Sequence, residues 1–245
     1  MKNKLKRFAD LKTFSNVLEP TDDKVIDWKK VFGNDNPITL ELACGKGDYT
    51  LALAKIFPKR NFIGIDIKGA RLWKGAKIAL AENLTNVAFL RIQIENLERY
   101  FEQDLNPQNI FLGIKPIAIT TIWIVFPDPF PRKRQINKRL TSPRFLNMYK
   151  NILSPNGTVH LKTDDLNLLN YSVETAITEG WKIKKVINNI YALYKTSPRT
   201  SAVQAERNPE SRKKINEITD IQTFYENQHL KAGRQINYLK IKKPI

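Results

Sequence analysis

A single carboxylate, Asp128, stands between two prolines in the stretch "VFPDPFPRKRQINKRL" at residues 125–140. The prolines fix φ on either side of it, so the carboxylate is preset at little entropic cost. Phe126 and Phe130 flank the turn and offer flat apolar faces on which a nucleobase can stack. A carboxylate beside such a base can stabilise positive charge that develops on it. The same stretch also suits an ordinary turn in which Asp128 caps the next segment.

A cationic tract follows this turn directly. It contains Arg132, Lys133, Arg134, Lys138, Arg139 and, slightly later, Arg144. Such a run can be a solvated face, but its place beside an acid at a strand end favours contacts with phosphate groups. The chain as a whole has 41 Lys and Arg against 24 Asp and Glu, a formal net charge of +17. This excess indicates a polyanionic partner, either nucleic acid or an anionic membrane.

A second group of residues lies in "ELACGKGDY", where Gly45 and Gly47 follow an apolar run and precede a helical pattern. Glycines at this position let the backbone approach a ligand closely. The third glycine of a dinucleotide-binding fingerprint would fall at position 50, which is Thr50. Glu41 and Asp48 flank the turn and disfavour a phosphate at the helix N-terminus. The turn therefore favours a cationic or neutral ligand.

Asp66 ends the next apolar run, "NFIGIDI". An acid at the end of that strand can accept both hydroxyls of a ribose. A nucleoside without phosphates that carries a positive centre near the glycine turn fits S-adenosylmethionine, which we predict as the cofactor. The alternative is that Gly45 and Gly47 simply make a tight turn between a strand and a helix.

Short apolar runs alternate with amphipathic stretches along most of the chain, which predicts an α/β fold. We expect a Rossmann-like, mostly parallel, seven-stranded sheet with helices on both faces and ligands at the carboxyl ends of its strands. The predicted strands are 38–44, 61–67, 87–93, 117–126, 157–164, 181–193 and 233–243. The predicted helices are 23–33, 48–57, 69–84, 143–153 and 166–180, the last with Gly180 as its stop. Residues 1–22 are predicted to be a flexible basic arm, residues 23–245 a single domain, and about 195–222 a polar basic stretch within it.

Several classes of protein are disfavoured by composition. Cys44 is the sole cysteine, so no intramolecular disulfide is possible, and His160 and His229 are too far apart in sequence to suggest a zinc cluster. The N-terminus "MKNKLKRFADLK" lacks the apolar stretch of a signal peptide. The most apolar run, "IAITTIWIVF", is about half the length that spans a bilayer. We therefore expect a cytoplasmic protein with no metal site and no membrane partner, as a monomer or a homodimer.

Five stretches resemble the bacterial tRNA (guanine-N7-)-methyltransferases, in their order along residues 38–243. They are "ELACGKGDY", "GIDIKGARLW", "FPDPFPRKRQINKRL", "HLKTDD" and "TFYENQHLKAGRQINYLKI". The glycine turn is shared with many methyltransferases, whereas the "FPDPFPRKR" block and the late "TFYE" are specific to this family. The resemblance implies a class I methyltransferase fold and transfer of a methyl group from S-adenosylmethionine to N7 of a guanine in the variable loop of tRNA.

The resemblance also implies roles for individual residues. Asp128 matches the active-site acid that lies beside the cofactor, and Asp164 matches a guanine-binding or tRNA-binding position. Gln93 stands where the family usually has an acid, and its amide can still hydrogen-bond the adenine edge. Phe130 replaces a tryptophan, and Gln135 a histidine. The implied cofactor contacts are Glu41, Gly45, Gly47, Asp66, Gln93 and Asp128; the implied substrate contacts are Arg132, Asp164, Thr223, Phe224, Tyr225 and Glu226; the implied RNA-contacting residues are Arg134, Lys138 and Arg139.

Guanine presents its N1–H and N2–H₂ donors together, and adenine does not. A carboxylate can accept both donors, and either Asp164 or Glu226 can take this role.

Two other functions stay open from the sequence. One is methylation of an exocyclic amino group, although Phe130 between the prolines departs from the motif of such enzymes. The other is a non-catalytic RNA-binding module, for which Gln93 is the one hint. A nicotinamide-dependent oxidoreductase is disfavoured by Thr50.

Overall fold

Eight strands form one mixed sheet in the computed structural model, which describes residues 2–20, 26–101, 118–194 and 216–244. The strand order is β1-β4-β3-β2-β5-β6-β8-β7. Every neighbouring pair is parallel except the two pairs that involve β8. The strands are β1 (Val17–Leu18), β2 (Ile38–Leu42), β3 (Asn61–Ile65), β4 (Val87–Leu90), β5 (Ile119–Val125), β6 (Thr158–Thr163), β7 (Lys182–Ile187) and β8 (Asn237–Lys242).

Helices cover both faces of this sheet, as predicted. Trp28, Phe101 and Tyr149 belong to the apolar layer on one face, and Leu11 and Leu72 to the layer on the other. Every residue of β2, β3 and β4 is buried, which is expected for parallel strands covered on both sides. The helices are α1 (Lys2–Leu11), α2 (Trp28–Phe32), α3 (Asp48–Ile56), α4 (Gly69–Ala81), α5 (Glu98–Phe101), α6 (Pro143–Ile152), α7 (Leu166–Thr178), α8 (Ile190–Tyr194) and α9 (Phe224–Lys231).

The predicted strands and helices are largely confirmed, with ends that differ by a few residues. The sheet has eight described strands rather than seven, because the two-residue strand β1 pairs with β4 at one edge. The strand predicted over 181–193 is wrong beyond Ile187, since Asn189 turns the chain with φ 57° and α8 follows. Residues 23–25 of the first predicted helix, Ile117 of the fourth strand and residues 195–215 lie outside the described residues.

The N-terminal segment is not a flexible arm where the structure describes it. Residues 2–11 form α1, which packs against α4, and Val17 and Leu18 form β1. Leu11 is only 1% exposed, and the side chains of Phe8 and Leu11 lie against Gly69 at the start of α4. Burial of these two apolar side chains explains why the segment folds onto the sheet layer. The division into an arm (1–22) and a domain (23–245) stays a prediction.

The strand order places a topological switch point, which we call the crevice, at the carboxyl ends of β2 and β5. From β2 the chain runs outward through β3 and β4, and then crosses to β5 on the other side of β2. Loops that leave the carboxyl ends of β2 and β5 therefore diverge, and such a switch point is where ligands bind in open α/β sheets. No helix among the described residues is long and apolar enough to cross a membrane.

Candidate active site

Five of the predicted site residues follow the carboxyl ends of the parallel strands, at the same end of the sheet. Gly45 follows β2, Asp66 follows β3, Gln93 follows β4, Asp128 follows β5 and Asp164 follows β6. Asp66 fixes the glycine turn, because its Oδ2 accepts a hydrogen bond from the Gly45 backbone N–H at 2.9 Å. Its Oδ1 accepts from the Lys68 N–H at 2.8 Å. Each carboxylate oxygen keeps a second acceptor site, so Asp66 can still accept hydroxyl donors.

The two glycines of the turn, Gly45 and Gly47, have different surroundings. A Cβ on Gly47 would lie 2.5 Å from the Phe89 ring, so this glycine lets the turn pack against β4. A Cβ on Gly45 would meet no atom within 4 Å, so this backbone borders open space where a ligand can approach. Both residues have positive φ. Gly75 in α4 was missed from sequence; a Cβ there would lie 2.3 Å from the Lys46 carbonyl oxygen of the turn.

Glu41 lies in β2, close to the carboxyl end of the strand, and is 5% exposed. Its Oε2 accepts hydrogen bonds from the backbone N–H of Thr50, at 2.8 Å, and from the Thr50 hydroxyl. Burial raises the pKa of this carboxyl from about 4.5 to about 8, with smaller contributions in the same direction from Asp48 and Asp66. The bonds from Thr50 oppose that shift only in part. Glu41 is therefore a carboxyl whose charge depends on what occupies the crevice.

Asp128 lies two residues from each of two phenylalanines with an unusual backbone. Phe126 and Phe130 have φ of 49° and 43°, a region that non-glycine residues rarely adopt. The Phe126 N–H donates to the Lys162 carbonyl at 2.9 Å, which extends the pairing of β5 with β6. Asp128 itself is exposed. Within the described residues its carboxylate has no hydrogen-bond or ion-pair partner, so it is available to a ligand.

The cationic tract after Asp128 divides into two kinds of residue. Arg132, Arg134 and Lys138 are exposed, as a phosphate contact requires. Arg139 is 8% exposed, and its guanidinium donates to backbone carbonyls and lies over the Tyr171 ring. The prediction that Arg139 contacts RNA is therefore corrected: its side chain is buried, and two of its N–H groups donate to the protein's own backbone.

Glu226 also differs from its prediction. Its side chain is fully buried and pairs with the equally buried Lys162, with Lys162 Nζ 2.7 Å from Oε1 and 2.8 Å from Oε2. The Tyr191 hydroxyl donates to Oε1 at 2.7 Å. Both carboxylate oxygens are thus engaged away from solvent, and Glu226 cannot read the edge of a guanine in this structure. Asp164 is the remaining candidate.

The other predicted substrate residues lie at the start of α9. Thr223 is the N-cap of this helix and is 7% exposed; its hydroxyl accepts from the Glu226 N–H at 3.2 Å. Phe224 and Tyr225 are about half exposed, and their rings meet edge to face at 5.8 Å. The Lys46 ammonium lies 4.7 Å from the Phe224 ring, which places this aromatic pair next to the glycine turn.

Asp164 is held by two basic residues that follow it in the chain. Its Oδ2 accepts from Arg234 and lies 3.2 Å from Nδ1 of His229. The His229 ring stacks on Phe126, with centroids 5.2 Å apart, and so connects Asp164 to the turn that carries Asp128. His229 and Arg234 were missed from sequence because neither lies near Asp164 in the chain. Gln93, by contrast, is exposed at the end of β4 and has no described contact with this group.

No group of three or more His, Cys, Asp or Glu side chains that could hold a metal ion occurs among the residues described. The site is instead built from carboxylates, backbone N–H groups, aromatic rings and exposed cations. This set of donors and acceptors suits an organic ligand with hydroxyls and positive charge, together with a polyanion.

Comparison with known proteins finds methyltransferases. Residues 35–239 match the family model described as "Putative methyltransferase". A tRNA (guanine-N(7)-)-methyltransferase from Christiangramia forsetii is 42% identical over 250 residues, which cover 98% of this chain and 98% of the relative. One from Cytophaga hutchinsonii is 37% identical and covers 98% of this chain and 96% of its own. One from Porphyromonas gingivalis is 40% identical over 208 residues, which cover 85% of this chain and 72% of that relative.

Solved structures support the fold. An antibiotic-related methyltransferase superposes with a TM-score of 0.60 at 14% identity, covering 95% of this chain and 98% of that structure. The 16S rRNA methyltransferase KamB gives a TM-score of 0.58 at 12% identity, covering 91% of this chain and 96% of its own. At these identities the likeness shows the methyltransferase fold alone.

Proposed function

Because the chain belongs to the tRNA (guanine-N7-)-methyltransferase family, we propose that it methylates N7 of a guanine in the variable loop of tRNA, in the cytoplasm, with S-adenosylmethionine as donor. The observation that carries the proposal is the exposed carboxylate of Asp128, held between Pro127 and Pro129 after β5, beside the switch point. Exposed cations follow it within ten residues. An acid next to the reacting base and a basic loop behind it suit this reaction.

The residues of the crevice fit the cofactor. Gly45 borders open space, Asp66 retains acceptor sites for ribose hydroxyls, and Glu41 can carry a negative charge toward a cationic group. We propose that these three residues, with Gly47 shaping the turn, hold S-adenosylmethionine, and that Gln93 reaches its adenine. When bound, S-adenosylmethionine supplies an electrophilic methyl group on a sulfonium centre.

Methylation at guanine N7 does not require the protein to remove a proton before the methyl group is transferred. N7 carries a free lone pair, so no general base is needed to prepare it. The two histidines fit that expectation. Burial lowers the pKa of His160 well below its usual value, and this ring packs against Trp123 in the core. His229 is stacked on Phe126. Catalysis then depends on positioning and on charge.

Asp128 supplies the charge. The purine ring becomes cationic as N7 gains the methyl group, and a carboxylate nearby lowers the energy of that developing cation. Asp164 is oriented by His229 and Arg234, and we propose that it accepts the N1–H and N2–H₂ donors of guanine. Phe224 and Tyr225 offer exposed rings beside the glycine turn for stacking or contact with the RNA.

Removing charge from the exposed part of the basic loop should weaken tRNA binding in a salt-dependent way. For the variant Arg134→Gln/Lys138→Gln, we expect the slope of log K against log salt concentration to fall by about 0.7–0.9 for each phosphate that the loop no longer neutralises. The matched control is Lys182→Gln/Lys184→Gln, which removes two exposed charges from β7 at the far edge of the sheet. A slope that equals the wild-type value in the loop variant would exclude this loop as the tRNA site.

Cofactor affinity should depend on pH through Glu41. Its pKa of about 8 in the free protein means that the carboxyl is mostly protonated at pH 7. A cation in the crevice favours the ionised form, so binding releases a proton. We expect the affinity for S-adenosylmethionine, measured by calorimetry, to rise by up to roughly tenfold per pH unit below pH 8 and to level off above it.

The variant Glu41→Gln provides the control for this titration, because it removes the ionisable group and keeps the hydrogen bonds to Thr50 possible. Its affinity should lose the pH dependence. The free protein should also show the linkage in its stability. Since the folded pKa lies above the unfolded value of about 4.5, stability should fall as pH rises from about 4.5 to about 8, and Glu41→Gln should flatten that slope. An unaltered slope in the variant contradicts the assignment.

The function itself is tested by transfer of a labelled methyl group from S-adenosylmethionine to unmodified tRNA, followed by digestion and nucleoside analysis. We expect the label in 7-methylguanosine. Label in a nucleoside methylated on an exocyclic amino group would instead support the alternative enzyme. Cofactor binding without any transfer would support a non-catalytic RNA-binding module.

A further inference from the structure

Arg139 differs from every other described cation of the loop that follows Asp128. Its Nε donates to the Pro129 carbonyl at 2.9 Å, and its Nη2 donates to the Phe130 carbonyl at 3.2 Å. The guanidinium carbon lies 4.3 Å from the centre of the Tyr171 ring. Among the described residues no carboxylate pairs with it. A cation that is 8% exposed therefore serves backbone carbonyls and an aromatic face.

The backbone that follows Arg139 is held by packing and hydrogen bonds. Leu140, Thr141 and Ser142, which follow Arg139, are all buried. The Leu140 carbonyl accepts from the Tyr149 hydroxyl of α6 at 3.0 Å, and the Thr141 hydroxyl is 2.7 Å from the Ser172 hydroxyl of α7. Arg139 is thus fixed between two helices before it reaches back to the turn.

The side chain of Arg139 joins the end of the basic loop to its beginning. Arg139 joins residue 139 to carbonyls nine and ten positions earlier, and the mostly exposed segment 132–138 lies in between. On the other side of Asp128, the N–H of Phe126 is tied to β6 through the Lys162 carbonyl. Asp128 therefore lies between two anchors, of which Arg139 makes the second.

We propose that Arg139 is a positioning residue for methyl transfer: it clamps the Pro129 and Phe130 carbonyls, and thereby fixes Asp128 beside the reacting base. The proposal rests on the proposed function, and it separates Arg139 from the residues that bind phosphate. An arginine suits the role because its planar fork presents two donors to two successive carbonyls, which a lysine ammonium cannot match. The ring of Tyr171 covers one face of the guanidinium.

The test compares two neighbouring charge removals, Arg139→Gln and Lys138→Gln, by kcat, KM and the salt dependence of tRNA binding. For Arg139→Gln we expect kcat to fall on the order of 100-fold, as for a misplaced catalytic group, with the salt slope unchanged. For Lys138→Gln we expect the opposite pattern: a higher KM and a salt slope lower by about 0.7–0.9. Lys182→Gln, on the far strand β7, controls for the loss of one positive charge.

Two further measurements separate positioning from general damage to the fold. The affinity for S-adenosylmethionine of Arg139→Gln should stay close to wild type, and its thermal unfolding should stay cooperative, with a lower midpoint because two hydrogen bonds are lost. Arg139→Lys keeps the charge but not the planar fork of donors, and should lose about tenfold in kcat at an unchanged salt slope. If Arg139→Gln fails to fold, Arg139→Lys decides alone.

Wild-type kcat in Arg139→Lys, or a lowered salt slope with wild-type kcat in Arg139→Gln, would overturn the proposal. The wild-type reaction in the same experiment reports on the proposed function separately. If wild type forms a methylated nucleoside other than 7-methylguanosine, the proposed function fails, and the comparison of Arg139 with Lys138 is read on that product instead.

Discussion

Replacement of Asp128 by alanine is expected to lower kcat for methyl transfer by about 10²–10³-fold, the loss typical for removal of one preorganised charge-stabilising group. The reason is that Asp128 is exposed at the crevice and, within the described part of the chain, has no partner that it would leave unpaired. Its removal should therefore cost transition-state stabilisation and little stability. The measurement is single-turnover transfer of labelled methyl to unmodified tRNA at saturating cofactor.

The affinity for tRNA should stay near wild type in Asp128→Ala, because the exposed cations of the loop remain. Asp128→Asn is the conservative companion: it keeps the size and the polarity of the side chain but not its charge. A similar loss of kcat in both variants would assign the effect to the charge. Near-normal methylation by Asp128→Ala would refute the role given to Asp128.

The second large effect is expected at the buried pair of Lys162 and Glu226. Glu226→Gln leaves the Lys162 ammonium buried without its counter-charge, and breaking such a pair typically costs about 3–5 kcal/mol in the free energy of unfolding. Urea unfolding should show this loss as a lower midpoint. Lys162 also donates to the carbonyls of Ile218 (2.8 Å) and Ile221 (3.2 Å), so the segment 216–226 should loosen with it.

Two comparisons make the interpretation specific. Asp35→Asn removes a partner of Lys29 in an exposed ion pair of similar length, 2.7 Å, and should change stability little. Lys162→Met/Glu226→Leu removes both buried charges and should recover part of the loss, because two apolar side chains of similar size need no counter-charge. An unchanged urea midpoint in Glu226→Gln would show that the pair does not hold this segment in place.

The pair also connects stability to the site. Segment 216–226 ends in the helix start that carries Phe224 and Tyr225, and it contacts α3 through the hydrogen bond from the Tyr49 hydroxyl to the Glu217 carbonyl. Loss of Lys162 or Glu226 should therefore disturb substrate binding without any direct contact with substrate. This is a different physical basis from the one predicted for Glu226, which the family resemblance implied as a substrate contact.

The parts of the site that sequence predicts well are those encoded over short distances. Gly45 and Asp66 each lie just after an apolar run, and parallel pairing of β2 with β3 is enough to bring them together. Asp128 is similarly placed by the end of β5 and by its two prolines. Local spacing and the topology of an α/β sheet therefore predict the cofactor side of the crevice.

The parts that sequence does not predict depend on contacts between distant residues or on burial. Lys162 and Glu226 are 64 residues apart, so neither shows its partner in the pattern. Arg139 looks like its neighbours in a run of cations, and only its burial against Tyr171 distinguishes it. The N-terminal helix α1 has too few apolar residues to stand out, and it is stabilised by packing on α4.

The most direct test of the central claim is chemical mapping of the methylated atom in a tRNA that carries a guanosine in its variable loop. Reduction with borohydride followed by aniline breaks an RNA chain at N7-methylated guanosine and not at guanosines methylated on the exocyclic amine. After incubation with the protein and S-adenosylmethionine we expect one break, in the variable loop, which forms far more slowly when Asp128→Ala replaces wild type. Methyl incorporation without any break, or a break outside the variable loop, would contradict the proposed reaction.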